Sequence, residues 1–203
     1  MKRFFRRFLD VKVNDVIRFL TYSDLLMLSG WGIASPILAV FFTDNIKGGS
    51  VVLAGLATTA YLLTKSVIQI PVARYIDLRR GELDDFWVMI TGSLIVALCA
   101  FLYIFVTLPW QVIAVQILYG VGTALSFPAW QAIFTRHIDR RQEGSEWSIY
   151  FTATDIGAAL AAALGGLMAQ QLGYKSVFIL VGIFSLCGTF FLAGVTRRLR
   201  KTS

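Results

Sequence analysis

Apolar residues fall in six long runs, about 19–42, 51–73, 86–107, 110–135, 146–171 and 175–196, separated by short islands of charge. A helix needs about 20 predominantly apolar residues to cross the hydrocarbon core of a bilayer, and each run is at least that long. The pattern predicts an all-α membrane protein of six transmembrane helices, with residues 1–203 as a single domain. The links at 43–50, 107–109 and 171–175 are short, so consecutive helices should lie side by side and antiparallel. The links around 77–85 and 137–146 are longer and charged. The runs leave little chain for a soluble domain, so any function must lie within the bundle.

Composition agrees: 57% of the residues are hydrophobic and the mean hydropathy is +0.69, above the roughly 45–50% apolar content of soluble domains. The basic residues add direction. Lys2, Arg3, Arg6, Arg7, Lys12 and Arg18 precede or begin run 1; Arg74, Arg79 and Arg80 follow run 2; Arg136, Arg140 and Arg141 follow run 4; Arg197, Arg198, Arg200 and Lys201 follow run 6. Alternating helices put all of these on one side and leave only Lys47 and Lys175 on the other. Basic loops stay cytoplasmic, so both termini are expected inside a cell (inner or plasma) membrane. The net charge of +7 then reflects topology and contact with anionic lipid; nucleic-acid binding would need a soluble basic surface. The segment 1–18, with Phe4, Phe5, Phe8 and Leu9 among its arginines, suits either a short helix lying on the inner interface or a frayed basic tail. Run 1 is too long for a cleaved signal sequence and lacks a cleavage site, so it is read as retained. Cys99 and Cys187 read as buried packing thiols.

Run 1 carries Gly30-Trp31-Gly32-Ile33-Ala34-Ser35-Pro36, and run 4 carries Gly120-Val121-Gly122-Thr123-Ala124-Leu125-Ser126-Phe127-Pro128. Both read Gly-x-Gly-x-Ala, then Ser and Pro, with a two-residue slip. Runs 1 and 4 point in opposite directions, so the echo suggests two inverted three-helix repeats. Chance is the alternative, because Gly and Pro are frequent in membrane helices. Gly- and Pro-interrupted segments at matching positions are a pointer to a transporter's midplane site. That marks Gly30, Gly32, Pro36, Gly120, Gly122 and Pro128 as helix-breaking positions.

At these residues the chain resembles one six-helix half of a major facilitator superfamily transporter. The family's loop signature, Gly-x-x-x-Asp-Arg/Lys-x-Gly-Arg/Lys, is matched in degenerate form by Ala73-Arg74-Tyr75-Ile76-Asp77-Leu78-Arg79-Arg80-Gly81. Run 4 is similar to its Arg-x-x-Gln-Gly-x-Gly-x-Ala element, with Gln116 where some members place a proton-coupling Arg. The stretch 172–178 resembles the family's short link into a sixth helix. A complete member has two halves, so the resemblance implies that this chain works with a second bundle. A two-fold homodimer would supply it; a different half joined to a fragment is the rival.

Charged groups at membrane depth cost about 2.5–3.5 kcal/mol or more each, which makes them functional candidates. Asp24, Lys65 and Asp155 lie at such depth. Asp24, Trp31 and Ser35 fall on one helical face, as do Gln116, Gly120, Thr123, Phe127 and Gln131 on another. Together they would line a cavity of aromatic surface and few polar groups, with Asp24 as its protonatable carboxylate. Alternatively Asp24 is solvated at the inner interface and caps the helix. Lys65 and Asp155 pair within one subunit or, by the resemblance, across two. The resemblance also implies gating contacts for Asp77, Arg79 and Arg80 against the start of a partner's helix 5, near Gly144 and Ser145. The stripes Gly157, Ala161, Gly165 and Ala158, Ala162, Gly166 permit close helix approach. His137 reads as an exposed loop residue.

No catalytic Ser/His pair, metal cluster or phosphate-cradling glycine loop is present, so neither an enzyme nor an ATP-driven pump is expected, and no cofactor. The function implied is secondary transport of a small molecule, with protons as the coupling ion. A non-transporting membrane partner or regulatory module is the alternative. A cavity with one acid favours lipophilic or cationic compounds.

Overall fold

The computed structural model of the chain describes residues 13–79 and 81–202, with side chains described through Gly194. Residues 1–12 and Arg80, named above, lie outside the described residues. Among the described residues five helices follow one another: α1 (Asp15–Asp44), α2 (Val51–Leu78), α3 (Glu82–Leu102), α4 (Pro109–His137) and α5 (Glu143–Thr202). All five are long and apolar enough to cross a membrane. Polar residues set several of their starts. The Asn14 side chain accepts the Val16 N–H at 2.9 Å, and Ser50 Oγ accepts the Leu53 N–H at 3.1 Å. Before α4 the Gln111 side chain accepts the Thr107 and Leu108 N–H groups at 2.8 and 3.0 Å. These contacts occupy donors that a helix end leaves without partners.

Helix and apolar run do not coincide. Once formed, the backbone ladder continues into the polar interface, so α1 starts at Asp15 and α2 reaches Leu78. The links expected around 77–85 and 137–146 are helical at both ends, and among the described residues the helix is interrupted only at 79, 81 and 138–142. Run 3 stops short: α3 ends at Leu102, and the chain turns through Tyr103–Phe105.

The six predicted runs are carried by five helices. Runs 5 and 6 form the single 60-residue element α5, interrupted at Gly173, whose φ of 76° and ψ of 164° are not helical. A straight helix of that length would span about 90 Å, far more than a hydrocarbon core of about 30 Å. Contacts with α1 show how α5 runs. Before Gly173, Gly157 lies against Leu25 and Ser29, Gly32 against Ala158, and Gly165 against Ile33, so the numbers rise together. After it, Val181 and Phe184 lie against Gly30, Gly188 against Ser23 and Met27, and Gly194 against Phe19, so they run opposite. The chain therefore reverses at Gly173, where a positive φ favours a residue without Cβ, and α1 is held between two antiparallel arms.

α4 holds the other side together, packing on α2 and α3. Gly120 lies against Tyr61 and Thr64 of α2, and Gly122 against Gly92, Ile95 and Val96 of α3. The glycines of the echo thus act by close approach, as small residues do between membrane helices. None of them breaks its helix, and neither does proline: α1 is continuous through Pro36 and α4 through Pro128. Each ring displaces one backbone hydrogen bond, which membrane helices tolerate where neighbours compensate. Of the two small-residue stripes on α5, Gly157, Ala161 and Gly165 face packed neighbours, whereas Gly166 has open space.

Two buried clusters fill the bundle. One, at the end where α1 finishes, centres on Phe41, Phe42, Tyr103 and Phe178. The other, at the end where α1 begins, centres on Trp130, Phe134, Tyr150 and Leu20. The arginine-bearing ends of α2 and α4 join the second, which is called the basic end below. At the opposite end the Lys47 N–H donates to the Thr107 carbonyl at 3.0 Å, tying the two short links together.

Candidate functional site

A cavity of about 280 Å³ lies between the two clusters, and every helix contributes to its wall. α1 supplies Asp24 and Trp31, α2 supplies Tyr61 and Lys65, and α3 supplies Ser93. α4 supplies Tyr119, Thr123, Phe127 and Trp130, and α5 supplies Tyr150 and Leu192 from its two arms. Its size is near the lower limit of small-molecule sites, and its make-up, mostly aromatic with a few polar groups, is theirs.

The aromatic wall is continuous. Trp31 and Tyr119 have ring centroids 4.4 Å apart, and Tyr119 and Tyr61 5.0 Å. The Lys65 ammonium sits 4.9 Å from the Phe127 centroid and 6.0 Å from that of Tyr61, within reach of cation–π attraction. Asp24 accepts a hydrogen bond from the Tyr150 hydroxyl at 2.8 Å. That contact ties α1 to the first arm of α5 and gives the carboxylate a partner where water is scarce. The Thr123 hydroxyl is turned to its own helix, toward the Tyr119 and Gly120 carbonyls at 2.9 and 3.1 Å.

The cavity gathers Asp24, Trp31, Thr123 and Phe127 as expected, and adds Lys65, which the sequence reading assigned to a charge pair. Three other candidates stand elsewhere. Ser35 is exposed, because the wall uses Met27 and Leu28 between Asp24 and Trp31 while Ser35 falls on an outer face. Gln131 is also exposed, and Gln116 is buried but off the wall. Asp155 is exposed on α5, and among the described residues no carboxylate lies within 4.0 Å of the Lys65 amine. The pairing of Lys65 with Asp155 inside one chain is therefore not formed. Asp77 and Arg79 are exposed; Arg79 lies 3.9 Å from Asp84 and over the Tyr75 ring at 4.9 Å.

Sequence reasoning missed the polar groups that close the basic end. Asp85, 1% exposed, pairs with Arg136 across the α3–α4 contact. His137 is not an exposed loop residue: its Nδ1 lies 2.9 Å from the Ile133 carbonyl oxygen and its Nε2 3.9 Å from Glu82. Glu146 is buried and accepts the Asp139 N–H at 3.2 Å. These residues flank apolar runs and so read as loop charges; a run of helical polar residues beside a Trp- and Phe-rich segment was the available signal. Tyr150 was missed too, hidden among the aromatics of run 5. Cys99 is buried as expected, but Cys187 is exposed on the outer face of the second arm of α5, where an apolar thiol suits lipid. Among the described residues no group of three or more His, Cys, Asp or Glu is placed to hold a metal ion.

The family model described as the Major Facilitator Superfamily matches residues 22–203. An uncharacterised MFS-type transporter of Methanocaldococcus jannaschii is 23% identical over 175 residues, covering 84% of this chain and 42% of the relative. The chain thus spans less than half the length of the curated relative it matches. With the helices, the cavity and a family match over nearly the whole chain, it belongs to the Major Facilitator Superfamily.

Proposed function

We propose that the chain is one bundle of a secondary transporter that moves a small molecule by alternating access, coupled to protons through Asp24. The observation that carries this reading is the cavity itself: midway along the bundle, walled from all five helices, with a carboxylate inside it. In this reading α5 crosses the membrane twice, once on each side of Gly173, giving six spans with both termini in the cytoplasm of a cell membrane. The two three-helix halves are inverted repeats. Their support is the matching use of α1 and α4: α1 packs its glycines on the two arms of α5, and α4 packs its glycines on α2 and α3.

A single bundle leaves its pathway with one wall, and the second is proposed to be another copy of the same chain. Only 11% of the apolar window of α2 is buried, against 44% for α1. The exposed face of α2 carries Gly55, Thr58 and Thr59 among its aliphatic residues, groups that a protein neighbour uses better than lipid. Across such a dimer, Lys65 and Asp155 would bridge the copies when the site is empty, and Asp77 and Arg79 would gate the basic end.

The test is flux in proteoliposomes containing only this chain, with and without an imposed pH gradient. Proton movement that depends on an added small molecule and is abolished by Asp24→Asn is the expected result. Absence of flux with any gradient, from protein that cross-links as dimers, would assign the chain to a non-transporting role. Exclusively monomeric protein in mild detergent would remove the homodimer.

A further inference from the structure

We propose that the cavity takes a small organic anion with a flat aromatic body, its acid group set against Lys65 and the body lying along Trp31, Tyr119 and Tyr61. This inference rests on the transport reading of the same site and names the class of its substrate.

The groups on the wall are unequally provided for. The one carboxylate, Asp24, already receives the Tyr150 hydroxyl. Lys65 makes no ion pair among the described residues, and ring faces lie near its ammonium. Among the described residues the ammonium's N–H donors thus have no carboxylate acceptor, while the cavity's single carboxylate is already partnered. A ligand that brings acceptors and negative charge supplies what these donors lack, and one that brings a cation meets Lys65 as a like charge. Ring faces attract the ammonium but leave its hydrogen-bond donors unfilled, and a carboxylate fills them. The rings at 4.4 and 5.0 Å, tilted but continuous, suit a planar body better than a hydroxyl-rich one. A cavity of about 280 Å³ limits that body to roughly two fused rings. This reverses the preference for cations drawn from Asp24 alone.

The experiment is calorimetric binding to the full chain in lipid nanodiscs with three probes of one shape: 2-naphthoate, 2-naphthamide and 2-naphthylmethylammonium. The expected order places the anion at least about tenfold tighter than the neutral amide, with the cation weakest; tenfold corresponds to about 1.4 kcal/mol. Lys65→Met should erase the preference of the anion over the amide, and Lys65→Arg should keep it. Tighter binding of the cation, equal binding of all three, no binding of any, or a preference that survives Lys65→Met would each overturn the proposal. Binding with the expected order but no flux in proteoliposomes would sink the transport reading and leave the ligand class standing. Flux of a cation would do the reverse.

Discussion

The two ends of the bundle are sealed by aromatic clusters of similar size but different company. At the end where α1 finishes, Phe41, Phe42, Tyr103, Tyr174 and Phe178 pack with ring centroids 4.9–6.2 Å apart, with no ion pair among them. At the basic end Trp130, Phe134, Trp147 and Tyr150 pack equally closely. There, however, Asp85–Arg136, His137–Glu82 and the buried Glu146 lie beside them. One seal is held by burial alone. The other combines burial with charges that must stay paired, and paired charges admit water once separated. The ends are therefore held together by different physics, and variants can tell them apart.

The largest effect is expected at the apolar end. Phe178 is 0% exposed and meets Phe41 and Tyr103, so Phe178→Ala should cost about 4 kcal/mol through lost contacts and a cavity. Unfolding in mixed SDS–detergent micelles measures it, and a loss below about 1 kcal/mol would show that this seal is not held by packing.

At the basic end, Arg136→Ala strands the Asp85 carboxylate. The expected loss is about 3 kcal/mol, at the low end for broken buried pairs because Arg136 is itself 35% exposed. Replacing both, Asp85→Leu with Arg136→Met, should restore most of it, since an apolar pair of similar volume needs no mutual compensation. If the double variant is as unstable as the single, the two ends differ less than proposed here.

The smallest effect sharpens the contrast. Tyr103 is 1% exposed, and its hydroxyl has no hydrogen-bond partner among the described residues. Tyr103→Phe should be neutral or stabilising by up to about 1 kcal/mol. A clear loss in the same unfolding assay would mean that the apolar end contains a polar contact after all.

What the sequence conveyed follows from this contrast. Long apolar runs announce membrane helices because the bilayer sets their length, and Trp31 and Phe127 could be placed on one wall because helical periodicity is local. The reversal at Gly173 was legible as a short link, but nothing local distinguished a loop from a kink within one element. Asp85 and Glu146 were unreadable for a different reason. Whether a charge beside an apolar run is buried depends on what folds over it: Arg136, 51 residues away, for the first, and the turn at Asp139, seven residues away, for the second. The setting of Lys65 in the cavity is decided by α4, which brings Phe127 under it.

The grip of α5 on α1 has a consequence for how the protein is made. Ser23 donates to the Gly188 carbonyl, 165 residues away, and Asp24 receives Tyr150 from 126 residues away. During synthesis α1 is made well before Tyr150 and Gly188 emerge. Until then two polar groups of the leading helix must be shielded by something other than their native neighbours. Contacts so distant in sequence close slowly, so α1 gains its native polar partners only after both arms of α5 have been made.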